Sequence, residues 1–465
     1  MNKQLSFNIN EMRPDELVKE LDKYIIGQDE AKKSLAIAVR NRYRRSKLPS
    51  ELQEEISPSN IIMIGSTGVG KTEIVRRASK LIKAPFVKVE ATKYTEVGYV
   101  GRDVESMIRD LADESYSMIK KIHLEEVEAE ARKNAEMRIL DILVPPKKIT
   151  QAIKSPIDMF FSKTDTEVDN RDEVKVNDQR QIFFEKLKRK ELENEFIEIE
   201  IEEKTNHSAM LGQMGMDQVM DNMNDMLKQI MPSKRKKRKI LLKEAREYLT
   251  LEEAEKLIDE ELIMNEAVYL AENYGIVFID EIDKIAEINK QSSGVSREGV
   301  QRDILPIVEG STVKTKYGNI KTDYILFIAA GAFHVAKPQD LLPELQGRFP
   351  IRVELNSLKT NDYIKILTET NNSLIKQYTE LLKVDNIKLV FTEDGIIEIA
   401  KIVYDLNETK ENLGARRLLT VLEQLLKDLL FEIKEEITEK IVDRNFVQFT
   451  LRDMIQATDM SRYIL

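Results

Sequence analysis

The sequence predicts an α/β chain: a parallel sheet split by a largely helical insertion and followed by a mostly α C-terminal domain. Three observations carry that reading. Short apolar runs alternate with helical periodicity on both sides of a long polar interval, the interval itself changes texture, and the last 110 residues or so are helical by periodicity.

From about Asn60 to Gly101 the apolar runs are Ile61-Ile62-Met63-Ile64 and Phe86-Val87-Lys88-Val89. From about Asn273 to Leu355 they are Ile276-Val277-Phe278-Ile279, Ile325-Leu326-Phe327-Ile328 and Ile351-Arg352-Val353-Glu354-Leu355. Strands covered on both faces read as such brief apolar stretches, and their alternation with helices builds a parallel sheet. After the first run, Ile74, Val75, Ala78, Leu81 and Ile82 fall on one helical face before Pro85 stops the helix. That face is expected to pack on the sheet.

From about Ser117 to Thr250 the texture differs. A long charged helix is expected to run to Leu143 and to break at Pro145-Pro146, because the residue before a proline is pushed out of the helical region. Between Phe196 and Glu202, Ile197, Ile199 and Ile201 alternate with Glu198, Glu200 and Glu202, a period of two that reads as one exposed strand. Met210, Met214, Met216, Met220, Met223, Met226 and Met231 then precede the basic run Lys234 to Lys239. The methionines read equally as an adaptable apolar surface or as a loop without fixed packing. The basic run reads as a solvated loop in preference to a nucleic-acid contact. The chain returns through helical segments to Tyr274-Gly275, so the insertion is expected to be a helical arm, out and back.

In the last part, Leu418, Leu419, Leu422, Leu425, Leu426 and Leu429 form an apolar stripe. The expected division is therefore 1–116 and 251–355 for the two halves of the sheet domain, 117–250 for the insertion and 356–465 for the C-terminal domain.

Composition removes several chemistries. The 465 residues hold no cysteine, which excludes disulfide scaffolds, thiolate metal sites and a cysteine nucleophile, and fits a cytoplasmic setting. His123, His207 and His334 are scattered without ligand spacing, so no histidine metal site is expected. The longest apolar run, Tyr324 to Phe333, has 10 residues, whereas crossing a bilayer takes ~18 to 20. Met1 to Asn10 lacks the apolar core of a signal peptide. A soluble, unexported chain without membrane partners is expected. With 72 basic against 82 acidic side chains, a net charge of −10 disfavours general nucleic-acid binding. No Ser/His/Asp set or His-Glu-x-x-His motif stands out, so peptide cleavage is not expected on this chain.

Gly65-Ser66-Thr67-Gly68-Val69-Gly70-Lys71-Thr72 fits G-x-x-x-x-G-K-[ST] and stands between a strand and a helix. Its glycines let backbone N–H groups face phosphate oxygens, and the helix N-terminus adds partial positive charge. Lys71 can then reach the β- and γ-phosphates, and the Thr72 hydroxyl can hold Mg²⁺. The run Ile276 to Ile279 delivers Asp280 and Glu281 at its carboxyl end, Asp280 suited to the metal shell and Glu281 to polarising an attacking water. Together the two elements point to hydrolysis of ATP. Roughly 200 residues separate Lys71 from Asp280, whereas two βα units need only ~30 or more each, and the insertion accounts for the excess.

These elements, with the helical C-terminal domain, resemble the AAA+ ATPases, a family of P-loop NTPases. Thr95 to Glu105, which contains Gly98-Tyr99-Val100-Gly101, looks like the axial pore loop of their protein-unfolding Clp branch. Within that branch the chain is similar to the HslU (ClpY) family: ClpX begins with a cysteine zinc module and lacks a large intermediate domain, while Ser296 to Asp303 and the terminal Ser461-Arg462-Tyr463-Ile464-Leu465 are HslU-like.

The resemblance implies roles for named residues. Ile26, in Tyr24-Ile25-Ile26-Gly27-Gln28, would line the base pocket, and Gly68, Val69, Gly70, Lys71, Thr72 and Glu73 would form the phosphate loop and helix start. Glu344 and Arg348 would lie at a subunit boundary, with Arg348 as an arginine finger reaching a neighbour's γ-phosphate. Arg416, in Gly414-Ala415-Arg416-Arg417, would be the second-sensor arginine. It also implies a homohexamer that unfolds and translocates unfolded or tagged proteins into a separate threonine peptidase, HslV. Tyr99 would grip the client, and Tyr463, Ile464 and Leu465 would dock on HslV and activate it.

Two departures stand out. Ser66 replaces the usual proline, and Ala329-Ala330-Gly331 offers no polar side chain where many AAA+ members carry a first-sensor residue. Two other classes share the ATPase chemistry: a nucleic-acid motor, disfavoured by the Tyr99 loop and the acidity, and a chaperone that delivers nothing to a peptidase.

Overall fold

Apolar runs of four or five residues form the central sheet. The computed structural model describes residues 12–56, 58–95, 102–145, 180–202, 235–286, 297–431 and 439–452, and the chain divides into two units, Met1–Lys120 with Glu260–Leu465, and Lys121–Asp259. Strands β1 (Ile61–Ile64) and β2 (Phe86–Glu90) belong to the first unit, and β3 (Phe196–Glu202) and β4 (Arg235–Leu241) to the second. The first unit resumes with β5 (Ile276–Asp280), β6 (Thr312–Thr315), β7 (Gly318–Lys321), β8 (Leu326–Gly331), β9 (Ile351–Glu354), β10 (Lys388–Phe391) and β11 (Glu439–Val442).

The five-stranded sheet has the order β2-β5-β8-β1-β9, and every pair in it is parallel. Side chains alternate between its faces, so the period of two divides each run between two cores. Ile61, Met63, Ile276, Phe278, Leu326 and Ile328 pack with Ile74, Val75 and Ala78 of the helix Lys71–Ile82. Ile62, Val277, Ile279, Phe327 and Ala329 pack on the other face with Met107, Ile108, Leu111 and Ile304. Because β8 lies between β5 and β1, the carboxyl ends of three strands adjoin, the topological position at which open α/β sheets bind ligands.

A third core holds the C-terminal helices together through Leu418, Leu422, Leu425 and Leu426, with Leu367, Ile399 and Val403. Leu419, expected in the same stripe, is instead 43% exposed. The region also contains the parallel pair β10–β11, which helical periodicity does not anticipate. Strands of four residues carry too short a pattern to compete with the helices around them.

In the second unit, the strand expected between Phe196 and Glu202 is present with those bounds, whereas the basic run expected as a solvated loop is corrected to a second strand, β4. β3 and β4 form an antiparallel pair in which Glu198 stands opposite Lys239 and Glu200 opposite Lys237. Opposite charges facing across strands favour pairing by roughly 0.2–1 kcal/mol each. Ile197 and Ile199 point the other way and are buried with Leu187, Leu242, Ala245 and Leu249. The basic run therefore complements the acidic strand, a relationship invisible when each is read alone. The helix Ser106–Leu143 stops two residues before Pro145. The methionine-rich stretch lies outside the described residues.

Candidate nucleotide site at the carboxyl edge of the sheet

The loop after β1 is anchored at its first residue, where Gly65 N–H donates to Gly331 O at the end of β8, at 3.2 Å. Two glycines make the curl that follows. Gly68 has φ +76° and Gly70, at the N-terminus of the helix Lys71–Ile82, has φ +104°, a region L side chains rarely enter. Val69 between them is buried. The Lys71 ammonium lies over the loop and donates to Gly65 O and, at 2.9 Å, to Ser66 O. Burial pushes Lys71 below the ordinary lysine range, against the opposing pull of Asp280 and Asp283. Thr72 follows in the first turn of the helix.

Asp280 ends β5, and its carboxylate is paired with Lys88 Nζ of the adjacent strand at 2.8 Å. Its Oδ1 also accepts the Glu281 N–H at 3.1 Å. Glu281 is exposed and has φ +57°, so the chain turns sharply just where the second acid is presented. Asp283, two residues on and 9% exposed, accepts the Phe333 N–H at 3.2 Å. A Cβ on Gly331 would lie 2.7 Å from Asp283 Oδ1. The end of β8 thus has no room for a side chain, because the Asp283 carboxylate from the turn after β5 and the Phe333 ring fill the space.

Ile26 is half buried in the segment between the helices Pro14–Asp22 and Asp29–Ser46. The adjoining Tyr24 ring lies 4.5 Å under the Arg77 guanidinium. Arg77 and Arg76 both bond Glu73, at 2.7 and 2.6 Å, so Glu73 is engaged along its own helix. The C-terminal region reaches the same edge: Ala415 N–H donates to Gly68 O at 3.0 Å, and Arg416 is among the charges acting on Lys71.

Glu344 and Arg348 lie apart from these groups, exposed on the short helix Pro343–Arg348. The Arg348 guanidinium pairs with Glu309 at 2.9 Å, and Arg348 O accepts from the buried Asn60, whose side chain also accepts the Phe327 N–H. Gly98, Tyr99, Val100 and Gly101, and Tyr463, Ile464 and Leu465, lie outside the described residues. The residues flanking the first of these segments are tied together by Thr95 N–H to Arg102 O at 3.3 Å, and Arg102 pairs in turn with Asp110 at 2.6 Å.

Three participants escaped sequence reasoning. Lys88 interrupts an apolar strand, which was a usable signal. Asp283 follows the two acids by alternation, and Gln28, whose side chain bonds Val69 O and both backbone groups of Asn356, follows Ile26 by two residues, but neither position announces a contact made across the fold.

Two family models match the chain: an AAA domain (Cdc48 subfamily) over residues 188–352, and the ATPase family associated with various cellular activities (AAA) over residues 61–149. The ATP-dependent protease ATPase subunit HslU of Halalkalibacterium halodurans is 53% identical over 462 residues, covering 98% of this chain and 100% of the relative. Proteins of the same description from Bacillus anthracis and Bacillus cereus are each 52% identical over 457 residues, covering 97% of this chain and 99% of the relative.

Proposed function

From the premise that this chain belongs to the HslU family of ATP-dependent protease ATPase subunits, we propose that it forms a hexameric ring that unfolds proteins and feeds them to a separate threonine peptidase, HslV, which it activates. It is an ATPase acting as the regulatory subunit of a protease. What supports the nucleotide part of this reading is the convergence, at one sheet edge, of the phosphate loop, Asp280 and Glu281 at the end of β5, and the Gly414-Ala415-Arg416 segment of the C-terminal region; the ring and the peptidase are carried over from the relatives.

In this reading the loop N–H groups and Lys71 bind the phosphates of ATP, and Glu281 polarises the attacking water. Thr72 and Asp280 would hold Mg²⁺. Both offer hard oxygen donors, and a metal that keeps water and phosphate in its remaining positions needs no larger protein cage. When bound, the ion would neutralise charge on the phosphates. Lys88 holds the Asp280 carboxylate in place. Ile26 contacts the base, Arg416 senses the phosphates from the C-terminal domain, and Glu344 and Arg348 face the neighbouring subunit. A guanidinium braces charge on the transferred phosphoryl group, and one that acts in trans requires a ring.

Hydrolysis would change the angle between the sheet and C-terminal domains and move Tyr99 along the pore, gripping an extended client without reading its sequence. Tyr463 to Leu465 would dock on HslV. The proposed domain division places the arm at 117–250. Among the described residues no helix is long and apolar enough to cross a membrane, and the proposed setting is the cytoplasm.

The test is degradation of a folded model protein by this chain mixed with its candidate peptidase. The expected result is degradation that requires ATP and is abolished by Glu281→Gln. ATP hydrolysis without degradation would favour a chaperone serving no peptidase.

A further inference from the structure

Gln28 combines a strained backbone with a buried side chain. It has φ +61° and ψ +36° at the start of the helix Asp29–Ser46, a left-handed conformation that is uncommon for residues other than glycine, asparagine and aspartate. Its side chain does not cap that helix. It turns inward, 8% exposed, and joins two distant segments. Nε2 donates to Asn356 O at 2.8 Å and to Val69 O at 3.4 Å, while Oε1 accepts the Asn356 N–H at 3.0 Å. The carboxamide thus pairs with both backbone groups of one residue, as a neighbouring strand would, and touches the phosphate loop with the same nitrogen.

Each partner has a distinct place. Val69 lies within the phosphate loop. Asn356 follows Leu355, whose N–H donates to Ile64 O at 2.8 Å, and leads from β9 toward the C-terminal helices. Ile26 lies two residues before Gln28. A carboxamide between them resists any change in the distance from Ile26 to the loop, because buried polar groups left without partners are costly.

We propose that Gln28 is a positioning residue that sets the span between the base side of the ATP site at Ile26 and its phosphate loop, and ties both to Asn356. The proposal deepens the nucleotide reading above and rests on it. A ligand that occupies both ends of the span depends on Gln28, whereas one that uses the phosphate loop alone does not.

The experiment compares full-length wild type, Gln28→Glu and Gln28→Met for calorimetric binding of ADP and of inorganic triphosphate, and for ATPase kinetics. Gln28→Glu keeps shape and one acceptor but turns a carboxylate oxygen toward two carbonyls; Gln28→Met keeps approximate volume and removes the polar groups. The expected result is about tenfold weaker ADP binding and a similarly raised KM for ATP, with triphosphate affinity within twofold of wild type and kcat within threefold. Unchanged ADP affinity in either folded variant overturns the proposal, as does an equal loss for triphosphate, which would confine Gln28 to supporting the loop. Should wild type bind ADP no more tightly than triphosphate, the base-side reading itself falls, and that result is obtained on the unaltered chain.

Discussion

The backbone N–H of Ala415 donates to the carbonyl oxygen of Gly68 at 3.0 Å, bonding the phosphate loop to the segment that opens the helix Arg416–Phe431. The approach is close enough to require glycine on both sides. A Cβ on Gly68 would lie 2.0 Å from Leu413 O, and one on Gly414 would lie 2.6 Å from the Gly68 carbonyl carbon. Asn407 builds the far side by accepting the Leu413 N–H and donating to Gly414 O, both at 3.1 Å.

Gly414→Ala should therefore separate the two segments. Its φ of +53° adds strain to the clash. The expected outcome is a loss of at least about tenfold in kcat/KM for ATP, equivalent to about 1.4 kcal/mol, with the far-ultraviolet spectrum retained. Unimpaired hydrolysis in a folded Gly414→Ala protein would show that the contact is incidental.

This contact also marks where sequence reading ran out. The loop at Gly65 and the acids Asp280 and Glu281 at the end of β5 were legible because their spacing is local and their chemistry is tied to strand ends. The contacts of Gly414, Asp283 and Gln28 are set by segments brought together from distant parts of the chain, and a single sequence carries no signal of such meetings. The β3–β4 pair was half legible for a related reason: β3 showed its period of two, but the unbroken basic run of β4 carries no alternation, and the pairing that makes it a strand is a tertiary fact. Leu419 was placed by periodicity on a stripe wider than the face the core covers.

Lys88 and Asp280 form an ion pair at 2.8 Å with side chains 34% and 17% exposed, partly shielded but not dry. Lys88→Met keeps the aliphatic length and removes the charge that fixes the carboxylate. Steady-state ATPase assays should give kcat lowered about tenfold, since charge-assisted hydrogen bonds are worth ~1.5–3 kcal/mol. A kcat within twofold of wild type would reduce the pair to an ordinary surface contact.

Asp283 fills the space above Gly331 and bonds Phe333, and its field reaches Lys71. Two variants separate its roles. Asp283→Asn retains an acceptor for the Phe333 N–H and removes the charge; Asp283→Ala removes both. If the charge serves hydrolysis, Asp283→Asn lowers kcat by about tenfold with little change in KM, the pattern of an interaction made in the transition state. Wild-type kinetics in Asp283→Asn would limit the residue to holding Phe333.

Glu73 gives a pH prediction. Burial pushes its carboxyl up, but hydrogen bonds from Arg76 and Arg77 outweigh this and hold it below the ordinary 4.5. A folded-state pKa below the unfolded one means that stabilisation is fully present above the unfolded value and is lost as pH falls through the folded one. Thermal unfolding from pH 6 down to pH 3 should therefore show a smaller acid-induced drop in Tm for Glu73→Gln than for wild type. Parallel curves for the two proteins would mean that the arginines contribute nothing to the pH dependence of folding.

Ser66 supplies the last test. Its hydroxyl is buried and, among the described residues, has no hydrogen-bond partner, while its carbonyl accepts from Lys71. A buried unsatisfied polar atom costs ~1–3 kcal/mol, and proline at a compatible position gains a further ~0.4–1 kcal/mol by restricting the unfolded chain. Among the described residues, the Ser66 N–H makes no backbone hydrogen bond that proline would break. Ser66→Ala, which removes only the hydroxyl, should raise Tm in scanning calorimetry, and Ser66→Pro should raise it further. A lower Tm for Ser66→Ala would mean that the hydroxyl stabilises the loop. A rise for alanine with a fall for proline would mean instead that the loop backbone at this position does not suit the fixed φ of proline.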